Sequence, residues 1–205
     1  MVISRSRRLS AIALFSALAI ILNLIVKVPA PFAPFLTYQL WEVPIFAAFL
    51  IFGVEAGVAV AVINLVVLQV ISPGPLPTGP LYNLFAILAT MLGVAPVHRL
   101  LTRLRRGIAV VTVGATAAGA FSRVLIMTVV NGVILPYGYP IGFNIPASQL
   151  PPLLIIIAVF NATIVLYTIP LSYVILRAVY TRFSFAPAYQ IAGGEAPKVT
   201  PLVSE

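Results

Sequence analysis

SRVLIMTVVNGVILPYGYPIGFN, residues 122–144, decides how the rest of the chain is read. It places Arg123 and Asn131 inside an otherwise apolar run and then breaks into Pro, Gly and Tyr from Pro136 onward. Hydrocarbon solvates neither a guanidinium nor an amide, so each must face protein, water or a bound molecule. The stretch therefore reads as a membrane span that carries a candidate site and leaves the bilayer through an irregular loop.

Composition extends this reading to the whole chain. Of 205 residues, 61% are apolar and 8% are charged, with a mean hydropathy of +1.14. A soluble domain carries charge on about a quarter of its residues. Several apolar runs are long enough to cross about 30 Å of hydrocarbon, which takes roughly 20 helical residues. The expected class is all-α, an integral membrane bundle of six transmembrane helices over residues 1–182, with a cytoplasmic tail at 183–205. Cysteine is absent, which excludes disulfides, cysteine-ligated clusters and thiol chemistry.

Upstream, Arg5, Arg7 and Arg8 precede an apolar run over residues 9–26. That run exceeds a typical signal-peptide core, so it is read as a retained first helix. Ala13 and Ala17 lie about one turn apart on it, a spacing that lets helix backbones approach closely in lipid. They serve either packing within the bundle or docking onto another subunit. Pro29, Pro31 and Pro34 then interrupt KVPAPFAPFLTYQLWE, residues 27–42, which predicts an irregular aromatic loop. Tyr38 and Trp41 in it are either interface anchors or part of a lid over a pocket.

A short helix at 43–52 and a turn at 53–57 lead into a third helix ending near Ile71. SPGPLPTGP, residues 72–80, cannot continue a helix and is a loop. A fourth helix is expected at 81–98 and a fifth at 108–135, with the small-residue run GATAAGA at 114–120. The sixth spans 151–179 with a kink at Pro170.

Charge placement sets the orientation. All but Lys27 and Arg123 of the twelve Lys and Arg residues fall at helix ends that share one side when six crossings are counted from the N-terminus. By the positive-inside rule that side is cytoplasmic and holds both termini. The basicity thus reports topology and not a nucleic-acid partner. Loops 28–42, 72–80 and 136–150 are then external, and a ligand mouth is expected among them.

No metalloprotease, hydrolase or phosphate-loop signature occurs, so neither catalysis nor ATP hydrolysis is expected of the chain, and no cofactor or metal. His98, the only histidine, reads as interface filler. Glu42 and Glu55 fall at predicted loops or helix ends. Arg123 is the one ionisable residue inside a span; always protonated, it makes a poor proton relay. Its expected role is structural, paired with helix-end carbonyls or a carboxylate. Asn64, Asn83, Asn131 and Asn161 suit recognition of a neutral heteroaromatic ring, or else tie helices together.

Several of these pieces together resemble the riboflavin-uptake S components of energy-coupling factor (ECF) vitamin transporters. The Ala13 and Ala17 pair is similar to the face by which S components dock. LWEVP at residues 40–44 with FGVEAG at 52–57 resembles the family's acidic residue before Pro, short helix and FG turn. TGPLYNLF at 78–85, RVLIMTVVN at 123–131 and the Phe160-Asn161 pair follow in the family's order. Ile164 stands where that family's FN pair is followed by lysine.

The resemblance implies a substrate-binding subunit of a multi-pass importer in the cell membrane that captures riboflavin or a related flavin outside. A transmembrane coupling subunit and two ATPase subunits would energise it. It implies ligand contacts from Tyr38, Leu40, Trp41, Glu42, Asn83, Asn131, Asn161 and Ile164. An S component for another vitamin, a stand-alone secondary transporter, and an intramembrane enzyme or assembly factor are the alternatives.

Overall fold

The computed structural model describes residues 5–71, 74 and 76–182. The tail expected at 183–205 and part of the 72–80 loop lie outside them. Six helices are formed among the described residues: α1 (Arg5–Ile25), α2 (Glu42–Phe52), α3 (Val54–Ile71), α4 (Gly79–Arg103), α5 (Ile108–Ile134) and α6 (Leu150–Arg182). Five are long and apolar enough to cross a membrane. The exception is α2, whose 11 residues reach only about 16 Å. Five full spans and one half-length helix thus stand in place of the six expected crossings.

The short helix is the most deeply enclosed. Its residues from Glu42 to Ile51 are all buried, so it is apolar on every side and packs against α1, α3 and α6. It ends at Gly53, whose φ of 95° only glycine adopts cheaply, and α3 starts at the next residue. Large apolar side chains such as Leu14, Phe121 and Leu166 point outward, as a lipid-facing surface requires.

In place of a wholly irregular loop, the segment after α1 forms an antiparallel hairpin of β1 (Val28–Ala30) and β2 (Ala33–Tyr38). Pairing runs Val28 to Tyr38 and Pro29 to Thr37, then slips between Pro29 and Ala30. Prolines lack the ladder donor, and a two-stranded ribbon accommodates them at its edges and at such an irregularity. The hairpin and α2 together return the chain to the end from which α1 started, where Arg8 of α1 meets Glu55 of α3 at 2.6 Å.

Small residues set the α4–α5 contact. A Cβ on Gly93 would run into the Ala118 carbonyl, and the Ser122 hydroxyl donates to the Ala89 carbonyl at 2.7 Å. Gly119, in the small-residue run, packs on Val94, Thr90 and Val165. Helix α6 continues through Pro170. His98, expected at the interface, is instead fully buried and hydrogen-bonded through Nδ1 to the Tyr173 hydroxyl on α6.

Candidate functional site

The loop after α5 folds back over the bundle because its backbone finds partners there. Phe143 and Ile145 donate to the Leu135 carbonyl at 3.3 and 3.1 Å, and Asn144 donates to Tyr137 at 2.8 Å. Asn144 takes a left-handed φ of 56°, which asparagine tolerates better than most residues. Thr78 and Tyr82 at the start of α4 donate their hydroxyls to the Pro140 and Ile141 carbonyls. The loop is therefore latched to α4 above the space between α4, α5 and α6.

On the other side the hairpin is fixed to α6. The Tyr38 and Thr163 hydroxyls hydrogen-bond at 2.7 Å, and Tyr38 stacks against Phe160 with centroids 5.0 Å apart. Tyr167 donates to the Gln39 carbonyl at 2.7 Å, while the Gln39 side chain accepts from Trp41 Nε1 at 2.9 Å. These bonds hold the chain at Gln39 to Glu42 deep enough for α2 to begin inside the bundle.

Between the hairpin and the loop lies a cavity of about 760 Å³, within the roughly 300–1,000 Å³ typical of small-molecule sites. Phe35 and Leu36 of the hairpin, Phe143 and Ile145 of the loop, and Met127, Leu153, Ile157 and Phe160 of α5 and α6 supply apolar wall. Its mouth is at the end opposite the arginine-rich helix ends.

At its floor sit Arg123 and Glu42, each 3% exposed. Arg123 Nη1 and Nη2 donate to the two Glu42 carboxylate oxygens at 2.6 and 2.9 Å, and Nε donates to Asn161 Oδ1 at 2.8 Å. A bidentate pair with a third bond is the geometry in which buried opposite charges are best compensated. Of the two kinds of partner expected for Arg123, helix-end carbonyls or a carboxylate, it has the carboxylate. Glu42, expected at a loop or helix end, is the first residue of α2 and a core residue, because the chain before it descends into the bundle.

The amides divide by what they have left to offer. Asn161 donates to the Ile157 carbonyl at 2.9 Å besides accepting from Arg123, so much of its capacity is committed to protein. Asn131 donates one N–H to the Met127 carbonyl at 2.7 Å, which leaves its Oδ1 as an acceptor at the wall. Asn83 and Gln149 also line the cavity, with no side-chain bond to the described residues.

Trp41 and Ile164 line the cavity too, whereas Tyr38 and Leu40 do not. Tyr38 stands behind the wall, and Leu40 is 37% exposed on the outside. Asn64 is buried on α3, away from the cavity. Gln39, Tyr82, Gln149 and Phe143 are lining residues that sequence reasoning misses. Tyr82, beside Asn83 at a helix start, carries the one usable signal.

Ala13 and Ala17 are both exposed on the outer face of α1, so they do not pack within the bundle. Only 17% of the apolar stretch of α1 is buried, against 33–39% in the other spans.

No protein-family model matches the chain, and no curated protein matches it either. A solved structure of the S component of a bacterial ECF transporter does match, with a TM-score of 0.64 and 25% identity, over 87% of this chain and 98% of that one. The chain is a multi-pass membrane protein with the fold of an ECF S component, which is a transporter subunit and not an enzyme.

Proposed function

We propose that the chain is the solute-binding S component of an ECF importer in the cell membrane and that its solute is riboflavin or a closely related flavin. The cavity of about 760 Å³ carries this reading. Aromatic wall from Phe35, Trp41, Phe143 and Phe160 suits a flat ring system, and Asn83, Asn131 and Gln149 suit its polar edge. The riboflavin assignment draws on the motif order in the sequence, and Ile164 at the wall leaves that position apolar. Positive-inside placement of the arginine-rich ends turns the cavity mouth outward. Energy would come from a coupling subunit and two ATPases.

Transport into vesicles tests the role. The chain alone should give no riboflavin uptake, and uptake should appear when a coupling subunit and ATPases are co-reconstituted with ATP inside the ATPase-facing compartment. Uptake by the chain alone would make it a secondary transporter. Asn131→Leu is expected to weaken riboflavin binding about tenfold, because a desolvated ligand group left unpaired costs roughly 1.4 kcal/mol. Flavin fluorescence titration measures it; unchanged affinity would remove Asn131 from the site.

A further inference from the structure

A second hollow lies at the opposite end of the molecule, and solute binding makes no use of it. Arg8 of α1, Glu55 of α3, and Arg99 and Arg103 of α4 surround a space of about 500 Å³ that is backed by Phe52 and Val54. Arg8 donates through Nη2 to Glu55 at 2.6 Å, and its Nε is buried there with no bond to the described residues. Glu55 is the only carboxylate at this end among the described residues, since Glu42 belongs to the cavity floor. Three guanidiniums thus surround the hollow with one carboxylate, whereas Arg105 and Arg106 at the adjoining α4–α5 turn lie outside its lining.

We propose that this hollow binds the phosphodiester headgroup of an anionic phospholipid. Guanidinium forks match phosphate oxygens bidentately and stay charged at any physiological pH. Basic pockets between helices on the positive side of a membrane protein are where acidic headgroups are held. The surroundings favour lipid over free phosphate. Phe52 and Val54 give the hollow an apolar back, and Leu9, 58% exposed, begins the outward apolar flank of α1 along which acyl chains can lie. A small hydrated anion would use neither.

The test is retention of phosphatidylglycerol against phosphatidylcholine by the full chain in mixed micelles, read by native mass spectrometry. The unsubstituted protein should keep one phosphatidylglycerol in preference to phosphatidylcholine. The double variant Arg99→Gln/Arg103→Gln should lose that preference at least tenfold. The charge-matched control Arg105→Gln/Arg106→Gln should keep it. All four side chains are exposed, so thermal unfolding should stay put in both variants. Three results would each overturn the proposal: equal retention of the two lipids, equal loss in the control variant, or displacement of phosphatidylglycerol by millimolar inorganic phosphate.

Discussion

Arg123→Met should lower the stability of the protein by about 3–5 kcal/mol, the usual cost of stripping one partner from a buried ion pair. The substitution leaves the Glu42 carboxylate 3% exposed with no cation, and it removes the Nε donor from Asn161. Glu42→Leu should cost a similar amount for the converse reason, since arginine cannot shed its charge. The double variant Glu42→Leu/Arg123→Met places apolar side chains of similar reach at both positions and should recover most of the loss. Unfolding followed in detergent gives the four corners of the cycle. A single variant within about 1 kcal/mol of the parent would mean that the pair does not organise the bundle.

The second large effect concerns transport and not stability. Replacing both Ala13 and Ala17 by Trp is expected to reduce coupled riboflavin uptake at least tenfold while leaving riboflavin affinity within about twofold. Helices meet closely in lipid only where their side chains are small, and two indoles on one face hold any partner helix away. Both positions point out of the bundle, and the cavity draws no wall from α1. Uptake measured beside binding on the same preparations separates the two effects. Parallel loss of binding would show that α1 supports the cavity, and unaltered uptake would show that the partner docks elsewhere.

Much of the fold and part of the site are legible in the sequence alone. Arg123 and Asn131 stand out because polar groups in an apolar span need an explanation, and prolines and glycines mark the loops that cover the cavity. The partner of Arg123 is hidden, because Glu42 lies 81 residues away and only the descent of the hairpin brings it inside. Nothing local distinguishes a glutamate at a helix start in solvent from one in the core. The hairpin itself is masked by its prolines, which argue against strands unless the ribbon has only edges.

Asn161 shows a different limit. Its amide can be read as a ligand contact from the sequence, but how far its donors and acceptor are spent on Arg123 and Ile157 depends on helix rotation. The aromatic wall is legible only in part for a related reason: Trp41 is read as a ligand contact and Phe143 lies in a loop expected at the ligand mouth, but which way the rings of Phe143 and Phe160 face is set by how the loop and α6 are placed. The charged sequence neighbours of His98 point to the interface, whereas its ring faces Tyr173 across the core.

Occupation of the cavity above the Glu42–Arg123 pair by a solute underlies the importer role. It is tested most directly by equilibrium titration of the purified full chain with riboflavin, following quenching of flavin fluorescence. Saturable binding of one flavin per chain is expected, weakened about tenfold by Asn131→Leu. A folded protein that gives no saturable quenching would contradict it, whereas unchanged affinity after that substitution alone would take Asn131 out of the site.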